Sequence, residues 1–293
     1  MNDSQQRRSA LLLAMLSSFF TPFMGSSITV ALRSISDEFS MSGVALTWVA
    51  TSYILAAAVF LVPFGRIADI RGRKKIFVYG VVIFSIASLL CALAPSTLAL
   101  ISFRTLQGFG SAMLFGTSIA LLTSVYPPQE RGKVFGLTIS VVYIGLSAGP
   151  VVGGFLTSYF GWRSLFIVVL PFAALIIWVA TTRLKGDWAE ARGESFDLTG
   201  SVIYALSLTA VIIGFSFLLE IFGAVLLLLG VVGMAAFVAW ETRTKSPVLD
   251  MRLFRFNRPF AFSNMAALVN YSATSAVGFL VSLYLLFVKE FNP

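Results

Sequence analysis

The chain has 293 residues, of which 58% are apolar and only 12% are charged, and its mean hydropathy is +0.90. Soluble domains carry about twice that charged fraction, so the composition excludes an ordinary soluble domain and indicates a membrane protein. The net charge of +8 would suit a nucleic-acid partner, but the cations lie in short segments between apolar runs, so no nucleic acid is expected. With no histidine and a single cysteine, Cys91, the sequence predicts no disulfide framework, no metal site and no cofactor.

Nine apolar segments, each about 20 residues or longer, predict helices that cross the membrane. In chain order they are residues 10–32, 45–64, 76–94, 98–123, 134–156, 164–182, 198–219, 221–240 and 259–287. The expected fold class is therefore an all-α membrane protein, a bundle of about nine transmembrane helices. Its expected surrounding is the lipid bilayer of the cell (plasma or inner) membrane, as a multi-pass protein.

The distribution of cations predicts which side of the membrane each connection faces. With a cytoplasmic N-terminus, 17 lysines and arginines fall on the cytoplasmic side and three on the outer side. Such an excess is typical of cytoplasmic loops. Nine spans place Pro293 outside, directly after a span, and this arrangement suggests that a C-terminal part is missing.

The densest cationic connection joins the second and third segments at residues 65–75. It reads Gly-Arg-Ile-Ala-Asp-Ile-Arg-Gly-Arg-Lys-Lys, with five cations and one acid, Asp69. Gly65 and Gly72 permit a tight turn, because glycine adopts positive φ without steric strain. On charge alone, this connection could be a solvated basic loop that serves only to fix topology.

Arg104 is the one charge well inside a predicted span, about six residues from its start. It belongs to the sequence Arg-Thr-Leu-Gln-Gly-Phe-Gly at residues 104–110, which includes Gln107 and Gly108. A cation at that depth is costly, so it usually faces a cavity or a polar partner. The alternative is that Arg104 extends its charged group to the outer interface.

The fifth segment has four glycines and a proline within ten residues: Gly145, Gly149, Pro150, Gly153 and Gly154. Small residues at every fourth position let two membrane helices approach closely. The proline leaves a backbone carbonyl without its helical partner and bends the helix. Ordinary close packing would by itself account for this spacing.

Together these three stretches resemble the signature motifs of the major facilitator superfamily. Residues 65–75 are similar to its loop between the second and third spans (G-x-L-a-D-r-x-G-r-k), with Ile67 and Ile70 in place of Leu and Arg. Residues 104–110 resemble its fourth-span motif (R-x-x-q-G-x-g). Residues 145–154 match every fixed position of its fifth-span antiporter motif (g-x-x-x-G-P-x-x-G-G). The resemblance covers essentially the whole chain.

The order of segments resembles the fourteen-span drug:proton antiporter branch, which inserts two spans between its six-span halves. This resemblance implies a six-helix bundle at residues 1–182, a cytoplasmic loop at 183–197 and an inserted hairpin at 198–240. A second cytoplasmic loop would follow at 241–258, then the first helix of an incomplete C-terminal bundle at 259–293. The missing half, or a second copy of the chain, is the expected partner.

The resemblance also implies roles for individual residues. An ion-pair latch at the cytoplasmic side, in which Asp69 pairs with Arg131 or with helix N-termini in one conformation, would contain Gly65, Asp69, Gly72, Arg73, Lys74 and Arg131. The intramembrane cavity or coupling site would contain Arg104, Gln107 and Gly108. The helix with the glycines and Pro150 would pack against the partner bundle and limit leak.

Four further residues are candidates for lining a substrate cavity: Tyr53, Tyr143, Asn264 and Asn270. A site for lipophilic compounds needs apolar walls with a few polar groups. Aromatic residues make up 14% of the chain, however, and most of them are expected to face lipid or other helices.

One departure from the family pattern concerns proton coupling. Proton-coupled members usually carry an acid in the first span, within D-x-[ST]-I-V-x-x-A-L-P. Here Gly25 stands at the acid position and Arg33 at the proline position. No Asp or Glu lies in the middle of any predicted span, so the coupling acid would belong to the missing half, or coupling would differ.

Three functions are consistent with these features. The favoured one is a secondary active transporter that exports small amphipathic or cationic compounds by proton antiport and alternating access. A second is a metabolite transporter that is uncoupled or differently coupled. A third is a non-transporting fragment or membrane interaction protein. An enzyme is not expected, because the sequence contains no hydrolytic or redox constellation.

Overall fold

In the computed structural model, residues 3–287 are described, with side chains as far as residue 273. These residues form helices without any strand. The helices are α1 (Asp3–Phe39), α2 (Gly43–Arg71), α3 (Arg73–Ala92), α4 (Thr97–Val125), α5 (Pro128–Phe160), α6 (Ser164–Ile167), α7 (Val169–Arg183), α8 (Leu198–Ser216), α9 (Ile221–Glu241), α10 (Arg252–Phe256) and α11 (Arg258–Phe287).

Eight stretches of the described chain are long and apolar enough to cross a membrane, and they correspond to the first eight predicted segments. The sixth is Ser164–Arg183, which combines α6 and α7 across a break at Val168. The ninth predicted segment forms α11, part of which lies outside the residues with described side chains. The expectation of an all-α, multi-pass membrane protein is confirmed.

The prediction of a turn across residues 65–75 is wrong in its extent. Helix α2 continues through Gly65 and Asp69 to Arg71, and α3 begins at Arg73. Gly72 alone separates them, with a φ of 111° that favours glycine. The backbone hydrogen bonds of a helix are internal, so α2 continues beyond its apolar part into the polar end of the bundle.

Helix α1 also extends beyond its apolar segment, from Asp3 to Phe39. Glu38 therefore belongs to a helix. It accepts hydrogen bonds from both terminal nitrogens of Arg163, each at 2.6 Å, and one from Trp162 Nε1 at 2.8 Å. The pKa of Arg163 is raised, chiefly by its hydrogen bond to Glu38. This pair joins the outer ends of α1 and the α5–α6 connection.

Helices α1–α7 pack into one bundle, in which α4 contacts α1, α2, α3 and α5. The interior is apolar and aromatic, and its fully buried side chains include Phe77, Phe84, Phe166, Leu100 and Leu121. Helices α8 and α9 pack mainly against one another and reach the bundle along α2. They thus form a hairpin beside the bundle.

The hairpin has a capped helix at its start, and its two helices pack closely at glycines. Asp197 precedes α8 and caps it, since its carboxylate accepts a hydrogen bond from the backbone of Gly200 at 2.8 Å. Gly214 and Gly230 lie where the backbones of the two helices meet, with no room for a side chain. Small residues at such crossings are how membrane helices gain van der Waals contact.

Three glycines of α5 pack against α1 within the same bundle. A Cβ atom on Gly145 would come within 2.6 Å of the carbonyl oxygen of Phe19, and one on Gly153 within 2.8 Å of Ser27 Cβ. A Cβ atom on Gly149 would likewise be too close to Ser26 and Ser27. The expectation that this stripe packs against a partner bundle is therefore wrong for these three residues, and close packing explains them.

Pro150 and Gly154 lie on other faces of α5. Pro150 is exposed, and a Cβ on Gly154 would meet nothing within 4 Å. Of the predicted motif, these two residues remain available for contact outside the bundle.

We expect Gly145→Ala to destabilise the bundle and Gly154→Ala to leave it intact. The new methyl group at position 145 meets backbone that cannot move freely, and overpacking of this kind costs about 1–3 kcal/mol. At position 154 the space is open, and alanine is the better helix former by about 1 kcal/mol. Thermal unfolding of the two variants in the same detergent measures the difference. Equal melting temperatures would contradict the packing account.

Candidate functional site

Arg73 lies at the centre of a charge cluster at the end of the bundle that is predicted to be cytoplasmic. Its side chain is 7% exposed, and its Nε donates to Asp69 Oδ1 at 2.8 Å. Its Nη1 donates to Glu190 Oε1 at 2.7 Å and to Ser124 Oγ at 2.8 Å. One guanidinium therefore joins the end of α2, the start of α3, the end of α4 and the α7–α8 loop.

The α7–α8 loop, residues 184–197, covers this end of the bundle through further contacts. Arg66 pairs with Glu194 at 2.6 Å, and Lys75 lies 3.5 Å from Asp187. Two backbone hydrogen bonds hold the loop in register, from Ala191 to the Asp69 carbonyl at 2.9 Å and from Arg73 to the Trp188 carbonyl at 2.8 Å. We call Arg66, Asp69, Arg73, Glu190 and Glu194 the inner charge cluster.

Gly72 and Lys74 complete the contact with this loop. The Asp187 carboxylate lies directly against the Cα of Gly72, where any side chain would collide with it. Lys74 Nζ donates to the carbonyl of Leu184. A carboxylate beside the start of α3 is favourable, because the N-terminus of a helix carries partial positive charge.

Arg131 does not contact Asp69 in this structure. Its Nε donates to the carbonyl of Tyr126 at 3.1 Å and its Nη2 to that of Thr123 at 2.8 Å. Arg131 thus satisfies backbone carbonyls at the end of α4, where the last turn of a helix has no internal donors. In this conformation the partner of Asp69 is Arg73.

The acids of the α7–α8 loop were missed by the sequence reasoning. Asp187, Glu190 and Glu194 are regularly spaced acids in a loop of mixed charge, opposite the most basic connection of the chain. The opposite charges of these two connections could have indicated from the sequence that they contact each other. The contact is difficult to infer because Arg73 and Glu190 are 117 residues apart along the chain.

Arg104 forms a second polar group, entirely buried within the bundle. It has no exposed surface, so the alternative that it reaches the outer interface is wrong. Its Nε donates to the carbonyl of Val49 at 3.1 Å and its Nη1 to Gln107 Oε1 at 2.6 Å. Its guanidinium carbon lies 4.4 Å from the centre of the Tyr53 ring, a cation–π contact.

The surroundings of Arg104 are held by hydrogen bonds between helices. Gln107 Nε2 donates to Ser88 Oγ at 2.7 Å, and Tyr53 Oη donates to the carbonyl of Thr21 at 2.8 Å. Gly108 allows α4 to lie against α2, because a Cβ there would collide with the backbone of Tyr53. These contacts join α1, α2, α3 and α4 around one positive charge.

No carboxylate balances that charge among the described residues, and Arg104 Nη2 has no hydrogen-bond partner there. Gly25, at the position where proton-coupled relatives carry an acid, lies against the same Tyr53 ring. A Cβ on Gly25 would be 3.6 Å from Tyr53 Cε1. The position that departs from the family pattern therefore contacts the same aromatic ring as the buried arginine.

The four residues predicted to line a substrate cavity are not brought together. Tyr53 is buried beside Arg104, whereas Tyr143 on α5 is 38% exposed. Asn264 and Asn270 lie on α11 and are exposed, and Asn264 Nδ2 donates to the carbonyl of Phe260 in its own helix. The lining role of these residues stays a prediction.

A sequence profile described as "Major Facilitator Superfamily" matches residues 14–292, so the chain belongs to that family. It is a multi-pass membrane protein of a family whose matched relatives are transporters. A solved structure described as a bacterial homolog to the human lysosomal transporter Spinster, inward-facing and occupied, shares the fold with a TM-score of 0.54. That match has 23% identity and covers 83% of this chain and 63% of the other.

Several characterised transporters are similar in sequence. Riboflavin transporter RibZ of Clostridioides difficile is 28% identical over 99% of this chain and 63% of its own length. Multidrug resistance protein Stp of Mycobacterium tuberculosis is 32% identical over 91% of this chain and 50% of its own length. Cephamycin export protein CmcT of Amycolatopsis lactamdurans is 34% identical over 94% of this chain and 58% of its own length. The chain thus spans half to two thirds of these relatives, and the number of spans in its branch stays a prediction.

We expect Arg73→Gln to release the α7–α8 loop from the bundle. Glutamine cannot replace the charged hydrogen bonds to Asp69 and Glu190. A buried hydrogen bond of this kind contributes about 1.5–3 kcal/mol, and the one to Glu190 contributes less because Glu190 is exposed to solvent. Cleavage by trypsin after Arg192, within the loop, should become about tenfold faster. The control is Arg71→Gln, which removes an exposed arginine two residues away. Equal cleavage rates in the two variants would show that Arg73 does not hold the loop.

Proposed function

We propose that the protein exports small amphipathic or cationic compounds by alternating access, in exchange for protons. The observation that carries the proposal is the inner charge cluster, in which buried Arg73 joins three helices and a loop through hydrogen bonds. Ion pairs of this kind have two discrete arrangements, paired and separated, as a gate needs. The names of relatives such as Stp and CmcT support export as the direction.

In this proposal the two ends of the bundle alternate. The inner charge cluster is intact when the cytoplasmic end is closed, and it separates when that end opens. At the outer end, the Glu38–Arg163 pair has the corresponding position between α1 and the α5–α6 connection. Carriers of this family move two pseudo-symmetric halves around one site near the bilayer midplane. The counterpart of the α1–α7 bundle would be a further part of the protein or a second copy of the chain.

Arg104 would contribute to the substrate cavity or to coupling. It is a permanent cation about 10 Å from the start of α4, as estimated from the helical rise. Its Nη2, which has no hydrogen-bond partner among the described residues, is where an anionic group or a water molecule would be stabilised. The fifth-span motif in α5, found in antiporters of the family, supports exchange for protons.

The direct test is efflux of a fluorescent lipophilic cation, ethidium, from cells that express the full-length protein. The proposal predicts efflux that stops when a protonophore collapses the proton gradient while ATP is maintained. Efflux that persists would contradict proton exchange, and absence of efflux in the presence of a gradient would contradict drug export. Cells with the empty vector provide the background rate.

A differently coupled metabolite transporter is the second candidate, favoured by the similarity to a protein named riboflavin transporter. Riboflavin is itself fluorescent, so the same cells serve for both assays. Riboflavin accumulation that survives the protonophore, without ethidium efflux, would favour this candidate over the first.

We expect Asp69→Asn to abolish transport while the protein still inserts into the membrane. Asparagine has nearly the same size, but it lacks the charge that pairs with Arg73, so the closed state loses its ion pair. We expect transport to fall at least about tenfold, which corresponds to a loss of about 1.4 kcal/mol. Asp37→Asn, an exposed acid at the opposite end of the bundle, is the matched control. Wild-type transport by Asp69→Asn at equal membrane abundance would exclude the cluster as a gate.

A further inference from the structure

Two carboxylates that are not members of the inner charge cluster meet at the base of the α8–α9 hairpin. Asp197 precedes the first residue of α8, and Glu241 is the last residue of α9. Glu241 is only 3% exposed. Buried carboxylates need a partner, because burial removes the water that stabilises their charge.

The hydrogen bonds of the two side chains leave one oxygen unsatisfied. Asp197 Oδ1 accepts from the backbone of Gly200 and Oδ2 from Trp240 Nε1, both at 2.8 Å. Glu241 Oε2 accepts from the backbone of Leu249 at 3.1 Å. Glu241 Oε1 is buried and has no partner among the described residues.

That unsatisfied oxygen faces Asp197 across Gly200. A Cβ built on Gly200 would lie 2.5 Å from Asp197 Oδ2 and 2.5 Å from Glu241 Oε1. The two oxygens are therefore at most twice that distance apart. Gly200 is itself buried, and any side chain there would displace the carboxylates.

Neither carboxylate forms an ion pair within the described part of the chain. From α2, the nearby cation is Arg66, which is engaged by Glu194 of the α7–α8 loop at 2.6 Å. On the other side, Glu241 lines a cavity of about 280 Å³ whose other charged residues belong to the α9–α10 connection and α10: Lys245, Asp250, Arg252 and Arg255. None of the three cations among them comes within 4.0 Å of a Glu241 oxygen, so they do not neutralise it.

Two carboxylates so close, one of them buried, disfavour the state in which both are ionised, because like charges raise the cost of the second ionisation. We propose that Asp197 and Glu241 together bind one proton, carried on Glu241 Oε1 and directed toward Asp197. The proton satisfies the orphaned oxygen and removes one of the two negative charges. This site lies at the predicted cytoplasmic end of the hairpin and does not depend on the direction or coupling of transport.

Proton binding here would affect the segment that follows α9. The same Glu241 side chain accepts a hydrogen bond from the backbone N–H of Leu249. Leu249 lines a cavity of about 840 Å³ together with Arg66 and Asp69 of the inner charge cluster. Loss of the proton introduces a second negative charge beside Asp197, and we infer that it loosens this segment from the hairpin.

The test is an infrared pH titration of the purified full chain in lipid nanodiscs, which follows the C=O stretching band of protonated carboxylic acids. At pH 7 we expect a band that Glu241→Gln removes and Glu220→Gln retains, because Glu220 is an exposed acid at the other end of the hairpin. Asp197→Asn removes the like charge, so the remaining Glu241 proton should dissociate at lower pH, by about one unit.

Three results would overturn the proposal. The first is the absence at pH 7 of a band that depends on Glu241. The second is an unchanged midpoint in Asp197→Asn, which remains informative if Glu241→Gln fails to fold. The third is loss of the band when sodium replaces choline at constant pH, which would make a metal cation the occupant. Glutamine at position 241 mimics the protonated acid, so unfolding of Glu241→Gln at an unchanged temperature would support the proposal further.

Discussion

The predicted cytoplasmic end of this molecule depends on one buried guanidinium. Arg73 is the first residue of α3, and its side chain contacts α2, α4 and the α7–α8 loop at once. A planar group with several fixed donors can satisfy acceptors on different elements simultaneously, which lysine cannot do. Because the cation is buried, separating its partners is costly. Together with the ion pairs and backbone hydrogen bonds of the α7–α8 loop, this contact holds α2 and α3 about Gly72 and determines the course of residues 184–197.

The bundle contains a second buried arginine that is stabilised by different means. Arg73 is balanced by carboxylates, whereas Arg104 has a carbonyl, an amide and the face of an aromatic ring. A charge held only by dipoles remains attractive to an anion, while a charge held by carboxylates is already neutralised. The two arginines therefore suit different tasks. Arg73 suits a contact that forms and separates, and Arg104 suits a fixed positive potential inside the bundle.

The hairpin packs along α2 of the bundle and is held by polar contacts at its own base. Lipid is as apolar as the helix surfaces, so apolar contact alone gives little preference for one helix arrangement in a membrane. Close approach at glycines holds α8 to α9 and α5 to α1. Asp197 then joins the start of α8 to Trp240 on α9, and Glu241 joins the hairpin to the segment after α9 through Leu249. Small residues thus determine which helices pack closely together, and charged residues hold the ends of those helices in place.

The sequence alone determined the class of protein, the first eight spans and the motif positions. These are local properties, since a bilayer accepts only helices whose surface is apolar over a sufficient length. The tertiary structure decided which groups meet: Arg73 with Glu190, Arg104 with Tyr53, Gly145 with Phe19, and Glu241 with Asp197. These contacts depend on how each helix is rotated and where it crosses its neighbours. Hydrophobicity does not encode that rotation here, because the spans are apolar on every side.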